Sequence, residues 1–144
     1  RRVVVVNGHG GNVAALRETC ARVTRHTDGY ATAFTWFDAV DPDEVTMGHG
    51  GPLETSALAY LHPELLREDR LDEAAEGGAD GWGEWHSGVN LAYDSAEFSE
   101  NGTVGDPREG DAELGERLID DAATALSALL ERVVDRNRDL PDHE

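Results

Sequence analysis

The sequence contains no lysine, and its 12 basic residues are all arginines, against 30 aspartates and glutamates. The formal net charge is −18, and no basic patch is available to neutralise a phosphate backbone, so DNA or RNA binding is not expected. Acidity of this size, spread along the whole chain, favours a protein that stays soluble in a salt-rich cytoplasm, where screening weakens self-repulsion. Ordinary acidic solubility is the alternative, and the missing lysine favours the salt-adapted interpretation.

Cysteine and long apolar runs are equally scarce. Cys20 is the only cysteine, which excludes an internal disulfide and a cysteine-based zinc cage and favours a small core residue on a predicted helix. No apolar run approaches the length of a membrane span, and no signal peptide is recognisable. We therefore expect a cytoplasmic protein without a membrane partner. The length predicts one domain over residues 1–136 and a polar tail over residues 137–144.

The chain begins with an apolar strand and a glycine-rich turn. Residues 3–6 are four consecutive valines, which predicts a strand buried on both faces, as in a parallel sheet between helices. The turn that follows contains His9, and a helical pattern begins after Asn12. Because Arg1 and Arg2 lead directly into this strand, we expect the chain to be a piece of a longer protein.

Hydrophobic spacing predicts an α/β order of elements. Apolar residues three and four apart predict a first helix that ends near residues 27–29, with Gly29 as the residue after its C-cap. The aromatic and threonine-rich residues 30–37 predict a second strand, which completes a βαβ unit. The later predicted elements are a helix over residues 54–66 broken near His62 by Pro63, a solvated acidic loop over residues 67–81, an irregular aromatic excursion over residues 82–110 with one short strand around residues 88–93, and a helix from Asp111 to Arg136.

Two histidines share glycine-rich surroundings, His9 in Gly-His-Gly-Gly-Asn and His49 in Gly-His-Gly-Gly-Pro. Glycine neighbours permit positive φ and leave an imidazole uncrowded, which is more typical of a metal ligand or a catalytic group than of a core histidine. Glu54 stands at a predicted helix start, where it complements the helix dipole or binds a metal. Such ligands suit Zn²⁺, Mn²⁺ or Fe²⁺, which activate water, while the second histidine transfers a proton.

The first glycine turn also allows a different function. The backbone amides of Gly8, Gly10 and Gly11 at a helix start can cradle a phosphate. The turn lacks the lysine of a P-loop, and position 13 is a valine where the dinucleotide fingerprint needs a third glycine. The alternative is therefore a non-catalytic fragment or split-protein subunit that binds a phosphate-bearing ligand through this turn.

Three motifs together resemble the creatininase (creatinine amidohydrolase) family. Residues 5–12 and 48–56 are similar to the two later signatures of the family, and residues 99–108, followed by Gly115-Glu116, to its carboxyl-terminal pattern. The resemblance implies a three-layer α/β/α fold with a mostly parallel central sheet, incomplete at the N-terminus, and a homo-oligomer, often a hexamer. It also implies that metal-bound water hydrolyses a non-peptide C–N bond in a small-molecule amide, cyclic amide or formamide.

The resemblance assigns roles to three side chains. His9 matches the metal-binding histidine, His49 the acid/base histidine, and Glu54 the glutamate of the Glu-Thr-Ser motif, as a metal ligand or catalytic group. Position 11 is a glycine where creatininase carries a metal-binding glutamate, so the chain resembles the His-Gly-Gly-Asn branch, which includes formamide deformylases and mycofactocin-precursor peptidases. The first metal motif of the family, Glu-x-His followed by an aspartate, does not precede Val3.

The other candidate residues have structural interpretations beside the functional ones. Asp38 orients a ligand histidine or caps a turn, and Trp36 walls a pocket or, as we favour, fills core. Trp82, Trp85 and His86 form a lid, an oligomer contact or a satellite hydrophobic cluster, and all three interpretations stay open. The remaining histidines, which are expected on the surface, are His26, His62 and His143.

Overall fold

The computed structural model describes residues 1–40, 45 and 47–136. The polar tail predicted over residues 137–144, with His143, lies outside the described residues. The chain divides into two compact units, one formed by Arg1–Val40 and the residues from Asp121 onward, the other by Asp41–Asp120. Each unit is described by itself, and the single domain over residues 1–136 stays a prediction.

The first unit is built on the predicted βαβ unit. Strand β1 (Arg2–Asn7), helix α1 (Val13–His26) and strand β2 (Tyr30–Thr35) follow one another in the sequence. The two strands are parallel, from Arg2 opposite Tyr30 to Asn7 opposite Thr35. Because residues rich in β-branched and aromatic side chains form both strands and a helix connects them, the α/β prediction is confirmed at this level.

The exposure of β1 corrects one prediction. Val3 is 50% exposed and Val6 58%, so β1 is not buried on both faces within the part of the chain that the structure describes. The reason is that β2 is the one strand paired with β1 in this two-stranded sheet. Burial of both faces requires further strands and helices around a strand.

Helix α1 ends close to the predicted position, but its cap differs from the prediction, and β2 is shorter than predicted. Thr27 is the C-cap of α1, and its Oγ1 donates to the carbonyl of Val23 and accepts from the amide of Gly29. Gly29 is therefore held by a threonine and is not the residue after the C-cap, so that prediction was wrong. Strand β2 ends at Thr35 because the chain turns into a 3₁₀ segment over Trp36–Ala39.

A threonine of α1 caps the start of β2. The amide of Ala31 donates to Thr24 Oγ1 at 2.9 Å, and the same hydroxyl donates to the carbonyl of Ala31 at 3.2 Å. One side chain thus satisfies both backbone groups of Ala31, as a neighbouring strand would. The adjacent Cys20 is 6% exposed and belongs to the core, as predicted.

The second unit begins with helix α2 (Pro52–Leu61), whose C-cap is His62. The helix stops here because Pro63 disfavours helical backbone in the residue before it, so the predicted break is confirmed. After the break, a single 3₁₀ turn over Pro63–Leu65 stands where the prediction continued the helix to residue 66.

Helix α3 (Leu71–Glu76) lies where a solvated loop was predicted. Arg70 pairs with Glu73, and two acidic residues in the first turn complement the helix dipole. The apolar face of this helix consists of Leu71, Ala74 and Ala75, which is too short for a periodic pattern to reveal.

The aromatic excursion contains a short hairpin. Strands β3 (Trp85–His86) and β4 (Val89–Asn90) pair antiparallel. The turn between them is Ser87-Gly88, both with positive φ, 51° and 80°, as a two-residue hairpin turn requires. The one short strand predicted around residues 88–93 is thus one half of a hairpin.

Helix α4 (Ala112–Asp135) has nearly the predicted bounds. Asp111 precedes it, and its Oδ1 accepts from the amide of Leu114. The helix approaches α2 closely, because a Cβ at Gly115 would lie 2.0 Å from the carbonyl oxygen of Ser56. Neither α4 nor any other helix in the described ranges has the length and apolar character needed to cross a membrane.

An exposed ion-pair network holds the loop before α4 against α3. Asp106 accepts from the amide, Nε and Nη2 of Arg108, and Arg108 Nη1 lies 3.4 Å from Asp72 of α3. The guanidinium and the backbone amide of Arg108 hold the pKa of the Asp106 carboxyl below its usual range. The ionised form of Asp106 is therefore the one that stabilises the second unit.

This pKa shift predicts how the stability of the second unit depends on pH. The contribution of Asp106 is complete above its unfolded pKa of about 4 and is lost as pH falls through the lower folded pKa. We expect Asp106→Asn to lower the Tm at neutral pH and to flatten the acid decline of stability, measured by the fluorescence of Trp82 and Trp85. Asp80→Asn, at an exposed aspartate of the same unit, is the control and should leave Tm unchanged. Parallel pH profiles for Asp106→Asn and the unmodified protein would contradict the prediction.

Candidate functional site

His9 stands at the carboxyl end of β1, as predicted. Its backbone is extended, with φ −138° and ψ 126°. Its amide donates to Asn7 Oδ1, and its carbonyl accepts from Asn7 Nδ2 and from the amide of Asn12. The side chain of His9 is exposed, so a hydrogen-bonded backbone carries an accessible imidazole.

The glycines around His9 provide space. A Cβ at Gly11 would lie 2.8 Å from Nε2 of His9, so the missing side chain leaves room for the imidazole. Gly8 is less crowded, with the Trp36 ring 3.9 Å from such a Cβ. The positive φ that glycine permits is not used at Gly8, Gly10 or Gly11. The first glycine motif therefore makes room for the ring and does not form a left-handed turn.

His49 is held by a buried backbone bridge. Its amide donates to the carbonyl of Val104 at 3.0 Å, and the amide of Val104 donates back at 2.8 Å. Val104 is 3% exposed, whereas the side chain of His49 is 55% exposed. A Cβ would lie 2.0 Å from the Val104 oxygen at Gly48 and 2.5 Å at Gly51. The glycines of the second motif thus permit a close approach that a side chain would block.

Glu54 lies in the first turn of α2, beside His49. Its Oε2 accepts from the amide of Gly50 and lies 3.8 Å from Nδ1 of His49. Gly50 has φ 60°, a left-handed conformation that favours glycine. One carboxylate therefore caps the turn and faces the imidazole, at an ion-pair distance that is too long for a hydrogen bond.

Trp82 is a neighbour of His49 that the sequence analysis did not identify. The two ring centroids are 6.4 Å apart, with the ring planes tilted by 48°. Phe98 packs edge-on against Trp82, also at a centroid distance of 6.4 Å, and the indole nitrogen of Trp82 donates to the carbonyl of Met47. Because Trp82 is far from His49 in the sequence, no spacing rule could have joined them.

The structure also places the other candidate residues of the sequence, Asp38, Trp36, His26 and His62. Asp38 is exposed on the 3₁₀ segment and borders an open cleft of about 500 Å³ between α1 and β2. Trp36 is half-buried on the 3₁₀ segment after β2 and packs edge-on against Phe37, so the favoured interpretation as a core residue is not confirmed. His26 and His62 are exposed, as predicted.

The described residues do not complete a metal site. Within each unit, and counting residues 1–40, 45 and 47–136 only, no three histidine, cysteine, aspartate or glutamate side chains lie close enough to hold an ion. His49 and Glu54 form a pair in the second unit, and His9 belongs to the first. A catalytic zinc ion takes three protein ligands, so these residues alone do not fit a metal centre.

A substitution at Gly48 tests the backbone bridge below His49. We expect Gly48→Ala to separate His49 from Val104 and to lower the free energy of unfolding of the second unit by about 2 kcal/mol. Gly81→Ala is the matched control, because no atom lies within 4 Å of the added Cβ. Chemical denaturation followed by the fluorescence of Trp82 and Trp85 measures both. Equal stabilities of the two variants would rule out the close approach.

Comparison with known proteins adds a family match. Residues 1–130 match the family model described as Creatininase, creatinine amidohydrolase. A mycofactocin precursor peptide peptidase from Mycobacterium ulcerans (strain Agy99) is 31% identical over 130 residues, which cover 88% of this chain and 48% of the relative. Its counterpart from Mycolicibacterium smegmatis is 31% identical over 132 residues, with coverages of 91% and 49%. The chain thus spans about half the length of the curated relatives it matches.

Solved structures of the same kind share the fold. The putative creatinine amidohydrolase from Bacteroides fragilis NCTC 9343 is 25% identical, with a TM-score of 0.68 over 95% of this chain and 55% of that one. A mutant creatininase described as the Zn–Zn type is 26% identical, with a TM-score of 0.63. A structure described as creatininase Mn is 25% identical, also with a TM-score of 0.63. These matches confirm the predicted creatininase-like α/β fold, and zinc and manganese are named for those two proteins.

Proposed function

Because the chain belongs to the creatininase family, we propose that it is part of a metal-dependent amidohydrolase to which it contributes His9, His49 and Glu54. The pair formed by His49 and Glu54 carries this proposal. An exposed imidazole stands on a buried backbone bridge, and a carboxylate lies 3.8 Å from its Nδ1. This is the arrangement that a proton-transfer group needs, with an accessible ring and a fixed backbone.

His49 is the proposed acid/base, and Glu54 orients it. A carboxylate near Nδ1 favours the tautomer that carries its proton there, and this leaves Nε2 free to exchange a proton with the substrate. The separation of 3.8 Å is compatible with this role because catalytic hydrogen bonds are often long before a substrate is bound.

The proposed substrate is an amide. Hydrolysis of a non-peptide C–N bond in a small amide, cyclic amide or formamide was predicted from the sequence. The relatives named above are peptide peptidases, which supports testing a peptide bond beside the small amides. Trp82, 40% exposed and in ring contact with His49, offers an apolar surface for the part of the substrate next to the scissile bond.

The proposed metal is Zn²⁺ or Mn²⁺, with Fe²⁺ as a further candidate. His9 and Glu54 are the proposed ligands from this chain, and the remaining ligands come from polypeptide outside the described residues. Two observations support this division. The described residues of each unit lack a three-ligand cluster, and the matched relatives are about twice as long as the matched region.

The wider proposal includes a homo-oligomer, a hexamer by family resemblance, in a salt-rich cytoplasm. The net charge of −18 without any lysine supports the salt-adapted part. The alternative of a subunit that binds a phosphate-bearing ligand through Gly8, Gly10 and Gly11 stays a prediction.

The proposed function predicts which variants lose activity. In the natural polypeptide that contains these residues, His49→Ala should lower kcat at least about 100-fold, as loss of a general acid/base does. Glu54→Gln should lower it less, because an amide still accepts from Gly50 but no longer carries the charge that orients the imidazole. Hydrolysis of creatinine, a formamide and a short peptide measures these effects.

His62→Ala is the matched control. His62 forms a more exposed pair with Glu64, at 3.2 Å, and its loss should leave activity unchanged. Removal of metal by a chelator should abolish hydrolysis, and Zn²⁺ or Mn²⁺ should restore it. Hydrolysis that survives either His49→Ala or complete metal removal would refute the proposal.

A further inference from the structure

We propose that Asn7 is a positioning residue that fixes the backbone of His9 and thereby the direction of its imidazole. The inference rests on the proposed function, in which His9 is a functional side chain. Asn7 follows the four valines directly and is the last residue of β1. Its place in the structure gives it a further role.

Asn7 grips both backbone groups of His9. Its Oδ1 accepts from the amide of His9 at 3.2 Å, and its Nδ2 donates to the carbonyl of His9 at 2.9 Å. Nδ2 also donates to Oγ1 of Thr35 at 3.2 Å. Because a carboxamide has two N–H donors and one oxygen, its donors and its acceptor oxygen are all engaged in these bonds.

The amide is buried at the last rung of the parallel sheet. Asn7 pairs with Thr35 in the register of β1 and β2, and the two residues are 4% and 8% exposed. A valine, like the four residues before it, would fill this position without the desolvation cost of an amide. The buried polar rung therefore serves a specific geometry, in which the end of β2 is tied to the turn that carries His9.

His9 requires such a tie because its neighbours are Gly8, Gly10 and Gly11. Glycine loses more conformational freedom on ordering than any other residue. Without Asn7, the bond from the amide of Asn12 to the His9 carbonyl would be the remaining backbone restraint described for His9. The side chain of Asn7 thus restrains the glycine turn and holds the backbone that carries the exposed imidazole of His9.

Thr24 provides a matched control for a merely structural role. Its hydroxyl grips both backbone groups of Ala31 in the same unit, as Asn7 grips those of His9. Thr24→Val therefore removes two side-chain to backbone hydrogen bonds without touching the glycine turn. Any effect that follows from lower stability alone should appear in both Thr24→Val and Asn7→Ala.

The experiment measures the local order of His9 by NMR in the full 144-residue chain. In Asn7→Ala, amide exchange at His9 should accelerate about tenfold or more, and order parameters over residues 8–12 should fall below about 0.6. Asn7→Asp keeps an acceptor for the His9 amide but loses the donor to the His9 carbonyl, so it should restore only part of the protection. Thr24→Val should leave His9 as it is in the unmodified chain.

If Asn7→Ala does not fold, Thr35→Val decides the question. It removes one partner of Asn7 but retains both bonds to His9, so the order of the turn should fall only partly while the fold is kept. Unchanged exchange and order at His9 in a folded Asn7→Ala or Thr35→Val variant, or the same change in Thr24→Val, would overturn the proposal.

Activity is read separately. In the natural polypeptide that contains these residues, Asn7→Ala should lower kcat about tenfold or more with KM within about twofold, and Asn7→Asp should recover part of the loss. If that polypeptide hydrolyses no amide, the proposed function fails while the NMR result still decides whether Asn7 positions His9. An Asn7→Ala enzyme with unchanged kcat would show that the tie has no catalytic role and would overturn the proposal.

Discussion

An imidazole can serve as a ligand or a proton carrier only if it is both accessible and fixed, and this requirement shapes both glycine turns. His9 and His49 are exposed, yet buried partners hold their backbones, the amide of Asn7 in one case and the backbone of Val104 in the other. The glycines serve these two arrangements differently. Gly11 leaves room for the ring of His9, whereas Gly48 lets the carbonyl of Val104 approach. The partner of His9 therefore lies within its own motif, whereas the partner of His49 lies far along the chain.

The longer elements could be predicted because their signals are local and repeated. The valine run, the apolar stripes of α1 and α4, and the break at Pro63 follow from periodicity and from the geometry of proline. Short elements do not repeat a pattern often enough. Helix α3 depends on ion pairs and on three apolar residues, and the hairpin depends on the turn at Ser87-Gly88. The cap at Thr27 was not predicted because Gly29, two residues later, is the residue type most typical of a helix end.

In the candidate site, too, local motifs could be predicted from the sequence and long-range contacts could not. His9, His49 and Glu54 stand in recognisable motifs, and the structure brings the last two within 3.8 Å across the start of α2. Trp82 could not be assigned in the same way, since its contact with His49 joins distant segments. The bonds from Asn7 to His9 are local, but the burial of Asn7 opposite Thr35 depends on the pairing of two strands. The exposure of Val3 and Val6 on β1 has a similar cause. Among the described residues, β2 is the one strand that pairs with β1, so β1 is not an interior strand of the sheet that they form.

A measurement of zinc binding distinguishes two hypotheses. In one, the metal centre needs ligands from other polypeptide, and in the other, this chain supplies all of the ligands. Equilibrium dialysis of the 144-residue chain should show no tightly held stoichiometric zinc, whereas the complete natural assembly that contains it should hold at least one equivalent that is lost on His9→Ala. A tight stoichiometric zinc on the 144-residue chain alone, unaffected by His9→Ala and Glu54→Gln, would contradict the assignment of these side chains to a shared hydrolytic centre.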